Sequence, residues 1–148
     1  MRIFAIPAAF VVSFAGCGDP GSDGGPGEAG PAAVRVPLAQ PFELAMGETA
    51  EVGPEALRLE LRALAEESRC PPGAECPAPG NAAVVIGVEA SGGGTATITL
   101  NTDRPPRDVG AYGHVVRLES LAPGAPPAGA NPDTAAYRAT LHVTREGR

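Results

Sequence analysis

The sequence predicts an all-β domain, a small antiparallel β-sandwich or barrel of about six to eight strands. Three observations carry the prediction. Apolar residues alternate singly with polar ones in several short runs, which is the period of a strand with one buried face. Glycine and proline are abundant, at 20 and 17 of 148 residues, and they fall between those runs. Aromatic residues make up only 4% of the chain, so the core must be built from Leu, Val and Ile.

Phe42, Leu44 and Met46, then Gly47-Glu48, then Ala50 and Val52 suggest a first short hairpin. The segment from Glu55 to Ser68 is open to two readings. Leu57, Leu61 and Leu64 have helical spacing behind Pro54, among good helix formers. Leu57, Leu59, Leu61 and Ala63 also alternate with Arg58, Glu60 and Arg62, which makes a strand with a charged outer face. The strand is preferred because its neighbours are strands. Ala83 to Val88 puts Val84, Ile86 and Val88 on one face, and Gly92-Gly93-Gly94 links it to Thr95 to Leu100. There Ala96, Ile98 and Leu100 alternate with three Thr, so the pair reads as an antiparallel hairpin. Tyr112 to Leu121 continues the pattern with Val116 and Leu118 in phase. In Tyr137 to Thr144, Tyr137, Ala139, Leu141 and Val143 face one way and Arg138, Thr140, His142 and Thr144 the other. Pro105-Pro106, Gly110 and the Pro/Gly/Ala run from Ala122 to Pro132 cannot continue a ladder.

The chain begins with a positive Met1-Arg2 and an apolar stretch, Ile3 to Gly16, ending in small residues: the layout of a secretory signal. It is shorter than the roughly 20 residues that cross a hydrocarbon core. Phe14-Ala15-Gly16-Cys17 resembles the lipobox of bacterial lipoproteins. That resemblance implies cleavage before Cys17, diacylglycerol on its sulfur and acylation of its new amine. Each buried acyl methylene is worth about 0.8 kcal/mol, so several chains on one residue hold a domain on a bilayer. Gly18 to Pro31 contains six Gly, three Pro and three acids, a composition without core-forming residues that reads as a flexible tether. About 17 such residues hold a domain roughly 20 to 25 Å from its anchor. Gly25 to Gly30 matches the dinucleotide fingerprint G-x-G-x-x-G letter by letter but lacks the preceding strand and following helix that the chemistry needs.

The expected organisation is a lipoprotein signal over residues 1–16, a lipidated Cys17 and tether over 17–34, and a single β domain over 35–148. The expected location is the bacterial cell envelope, with the outer membrane favoured because no Asp directly follows the cysteine. All 11 basic residues are Arg, which excludes a Walker-type lysine, a Schiff-base lysine and a lysine general base. A net charge of −6 without a basic cluster argues against a nucleic-acid partner.

Three cysteines is an odd number for an exported chain. Lipidation takes Cys17 out of the count and leaves Cys70 and Cys76 as a natural pair in an oxidising compartment. Their loop is short, so chain entropy gives the cross-link only about 2 kcal/mol. Glu67-Ser68-Arg69-Cys70-Pro71, then Cys76, then Gly80-Asn81-Ala82 lies between two strand segments. It resembles the signature D/E-S-R-C-P, spacer, C-x-W-x-G-x-A of a family of small exported bacterial lipoproteins. The resemblance implies the β fold and the envelope location and carries no activity. Ala78 stands where the family tends to have Trp, so any role of that indole has no carrier here.

The loop can be a turn clamp between strands, or a preorganised surface for an envelope protein or glycan partner. The contact residues would then be Arg69, Pro71, Pro72 and Glu75. An inhibitor of an exported hydrolase would offer Arg69, or a residue inside the loop, as bait. A redox role fails on spacing, since five residues separate the cysteines where thioredoxin-like sites have two. His114 shares phase with Val116 and Leu118, and His142 with Thr140 and Thr144, so a shared metal site is not expected. Ser68, His114 and Asp108 form no hydrolase motif, because Ser68 lies in no G-x-S-x-G elbow. Glu66, Glu67 and Glu75 read as solvated surface charge. The sequence therefore predicts no catalytic residues, no cofactor and no metal. The expected protein is a non-catalytic binding or structural module held at the membrane by N-terminal acyl chains. The alternatives are a hydrolase inhibitor acting through residues 69–77, and a small metal-binding protein or enzyme.

Overall fold

The computed structural model describes residues 32–54 and 57–147. The signal segment, Cys17 and the tether up to Pro31 lie outside the described residues. Among those described, the strands are β1 (Val34–Val36), β2 (Pro41–Ala45), β3 (Thr49–Val52), β4 (Leu57–Glu67), β5 (Ala82–Ala90), β6 (Thr95–Asn101), β7 (Asp108–Ala111), β8 (His114–Ala122) and β9 (Arg138–Arg145). They form two sheets. Sheet A runs β1-β3-β4-β5-β6 and sheet B runs β2-β9-β8-β7. Every pairing is antiparallel except that of β1 with β3. The expected all-β class is therefore present, as a β-sandwich.

The core lies between the sheets and follows the alternation in the sequence. Leu57, Leu59 and Leu61 of β4, Val84, Ile86 and Val88 of β5, Leu118 of β8 and Leu141 of β9 are buried in it. Full burial of such a side chain contributes about 1.5–3 kcal/mol. Tyr137 is the one aromatic residue among the largest fully buried side chains. The ambiguous segment is a strand, and the hairpin of β5 and β6 forms in register, with Ile86 opposite Ile98.

Four local expectations are corrected. The segments around Phe42 and Ala50 do not pair with each other, because β2 joins sheet B beside β9 and β3 joins sheet A beside β4. The chain switches sheets at Met46-Gly47, where the Met46 N–H donates to Tyr137 O and the Gly47 N–H to Leu61 O. Gly47 has φ +77, a conformation that suits glycine at this corner. In β4 the register shifts between Leu61 and Ala63, so Ala63 is exposed instead of sharing the buried phase of the three Leu. Tyr112 is not in a strand: it forms the turn between β7 and β8 with Gly113, at φ +51 and +73. Glu67 is not a solvated charge but one of the least exposed ionisable groups described, at 4%.

Candidate functional site

β4 and β5 are joined by residues 68–81, the segment that carries the cysteines. The ladder runs on into this loop, since the Ser68 N–H donates to Asn81 O and the Cys70 N–H to Pro79 O. Cys70 and Cys76 form a disulfide with their Cα atoms 6.0 Å apart. The cross-link closes the tip beyond the last of these backbone bonds, so it stiffens a loop whose base is already paired.

Glu67 is the last residue of β4, and it holds the loop against sheet B. Its carboxylate accepts from the Arg69 Nε at 2.8 Å, from the Arg69 Nη2 and from the Tyr137 hydroxyl at 2.8 Å. The Arg69 guanidinium, 13% exposed, also donates to Leu121 O at 3.1 Å and Pro123 O at 3.0 Å, and lies 5.9 Å from the centre of the Tyr137 ring. Burial alone pushes the Glu67 carboxyl up. The bonds from the Arg69 side chain, Tyr137 and the Arg69 N–H outweigh it and leave the group below the usual carboxylate range. The same pair raises Arg69, chiefly through its bond to Glu67, and burial followed by the bond to Glu67 raises the Tyr137 phenol.

The rest of the segment around the cysteines is occupied in the same way. The Ser68 hydroxyl donates to Glu66 at 2.8 Å and accepts from the Asn81 N–H, and Glu66 also pairs with Arg104. The bond from Ser68 is the main cause that lowers Glu66, against its desolvation and with help from Arg104 and Asn81. Asn81 is buried, donates to Asn101 Oδ1 at 2.9 Å and accepts from the Asp103 N–H. Gly80 has φ +74, and a Cβ there would stand 1.9 Å from Ser68 O, so no other residue fits between the two chain segments. Ala82 is fully buried. Each of these residues has a local structural task.

Of the residues expected to meet a partner, Pro72 and Glu75 are exposed, Pro71 is half-buried, and Arg69 turns inward to its clamp. Pro72 faces the segment that leaves β8. Together with Pro123, Pro126, Pro127, Pro132 and Tyr137 it lines a groove whose lining is mostly apolar. Arg69 fixes both walls: it starts the loop on one side and bonds Leu121 and Pro123 on the other. Nothing in the sequence cues this groove, since the run 122–132 carries only the marks of a breaker.

The remaining candidates stand apart. Ser68 lies at the disulfide end of sheet A, whereas His114 opens β8 at the other end of the sandwich, and Asp108 is beside Arg117. His114 is buried with Val116 and Leu118, and its Nδ1 lies 2.9 Å from Tyr112 O. His142 is on the outer face of sheet B, 3.6 Å from Glu119. No cluster of three metal-ligating side chains occurs among the described residues. No helix among them is long and apolar enough to cross a membrane. No protein-family model matches the chain, and no curated protein and no solved structure is significantly similar to it.

Proposed function

We propose that this protein is a lipid-anchored envelope lipoprotein whose β-sandwich is a non-catalytic binding module. Its binding surface is the proline-lined groove beside the disulfide loop, with Pro72 on the wall and Pro71 and Glu75 on the loop. The observation that supports the reading is the clamp: Glu67, Arg69 and Tyr137 fix the loop and the 122–132 segment as two walls of one groove. Walls fixed before binding lose little entropy on binding, so an apolar groove of this kind suits a protein or glycan partner at the envelope. The anchor rests on the lipobox resemblance at Cys17 and is independent of the groove.

Each half has its own test. Cys17→Ser in the full chain is expected to move the protein from the membrane fraction to the soluble fraction with its folding transition unchanged; retention in the membrane would remove the anchor. For the groove, the chain would be cross-linked in intact cells, with wild type beside Pro72→Glu. Loss of a specific adduct in the variant supports the groove, and an unchanged set of adducts sinks it. Arg69 donates inside the structure, so the bait role in the inhibitor reading would fall to the exposed loop residues.

A further inference from the structure

Four strands form the edges of the sandwich: β1 and β6 in sheet A, β2 and β7 in sheet B. Edges present unpaired backbone groups, and proteins guard them with charge, proline, glycine or brevity. β1 has three residues and Arg35, β2 has Pro41 and Glu43, and β7 has Asp108 and Gly110. β6 has none of these. Its seven residues, TATITLN, include no charge, no proline and no glycine.

The register shows which backbone groups are open. The Asn101 N–H donates to Pro106 O, on the side away from β5. By the alternation of an antiparallel ladder, Thr95, Thr97 and Thr99 turn their N–H and C=O groups to that side too. Among the described residues these three make no backbone hydrogen bond beyond the β5 ladder. Their side chains are exposed on the outer face of sheet A, while Ile98 and Leu100 point into the core.

We propose that β6 is a self-association edge: it pairs antiparallel with β6 of a second copy, about a two-fold axis through Thr97. The run Thr95-Ala96-Thr97-Ile98-Thr99 reads outward as Thr, Thr, Thr in both directions. That register sets Thr97 against its own copy and Thr95 against Thr99 of the second copy, and forms about six main-chain hydrogen bonds. Thr–Thr pairs across strands are favourable and β6 itself carries no charge, while the exposed Arg62 side chain of β4, which donates to Thr97 Oγ1 at 3.4 Å, must turn from the seam as the copies meet. Among the described residues the other three edges are guarded, so pairing consumes the open one and closes at a dimer. A charged or proline-bearing partner strand would fit the seam less well than the chain's own β6. This inference does not depend on the lipid anchor or on the groove.

The test uses the full chain in the Cys17→Ser background, where Cys70 and Cys76 are occupied by their disulfide. Thr97→Cys with a short bis-maleimide is expected to yield a product of twice the chain mass. Arg58→Cys, on the outer face two strands away, should yield little. Thr97→Lys, which leaves the internal ladder intact, should weaken self-association in sedimentation by about tenfold or more by opposing two like charges. Equal cross-linking at both positions, a monomer up to about 1 mM, or open-ended assemblies in place of a dimer would overturn the proposal. Thr97 is exposed, so Thr97→Lys is expected to fold, and its sedimentation beside a thermal melt decides the matter even if the cysteine variant behaves poorly.

Discussion

At the end of the sandwich that carries the disulfide, Glu67 bonds Arg69 and Tyr137, and Asn81 bonds Asn101, with little exposure to water. At the opposite end, between the turns Gly92–Gly94 and Tyr112–Gly113, the Tyr112 ring lies over Gly94. Tyr112 is 42% exposed, and a Cβ at Gly92, Gly93 or Gly113 would meet nothing within 4 Å. One end is over-determined and the other is permissive. The residues at the two bases of the 67–82 segment thus serve the architecture first. Their identities are fixed by each other, and what they offer a partner is the rigid groove they create.

The contrast is broken most severely at glycine. Gly80→Ala must push its methyl against Ser68 O and is expected to cost about 4 kcal/mol or to prevent folding. Gly93→Ala at the other end meets only the backbone preference at φ +89 and should cost about 1–2 kcal/mol. Urea unfolding of the two variants side by side measures the gap, and equal costs would erase the distinction between the ends.

Glu67→Ala leaves Arg69 half-buried without its carboxylate and is expected to destabilise by about 3 kcal/mol. The pH dependence carries a sign. Glu67 is held below the usual carboxylate range when folded, so its contribution is complete at neutral pH and is lost as the pH falls through the folded value. Glu67→Gln should therefore flatten the acid limb of the stability curve below about pH 4. An acid limb identical to wild type would show that the clamp is not what acid breaks.

Replacing Cys70 and Cys76 together by Ser should cost about 2 kcal/mol, because the loop closed is short and the pairs Ser68–Asn81 and Cys70–Pro79 hold its base. A loss as large as that of Glu67→Ala would make the disulfide, and not the clamp, the main constraint. Tyr112→Asn is the smallest effect. Asn tolerates the left-handed turn position better than Tyr and gives up one exposed ring contact, so stability should change by less than about 0.5 kcal/mol in thermal melts.

Most strands were legible because alternation is a local property of extended backbone: β5, β6 and β9 appear in the sequence with their buried faces already assigned. β7 was not, since four residues around Gly110 carry too little pattern to separate from the breaker. At the candidate site the cysteine pair and the loop were legible, and the roles of Glu67 and Arg69 were not. In the sequence both look like surface charges, and only the arrival of Tyr137 and the Leu121 and Pro123 carbonyls from the other sheet makes them interior.

The all-β class, the phase of the long strands, the aliphatic core and the position of the breaks are local matters, because side-chain period and the backbone limits of glycine and proline act within a few residues. That β2 and β3 enter different sheets, that a bulge turns Ala63 outward, and that a carboxylate and a guanidinium are buried as a pair are matters of long-range packing. Those outcomes depend on which distant strand supplies the next hydrogen bonds. Alternation says which face of a strand is buried, and it is silent about the neighbour that buries it.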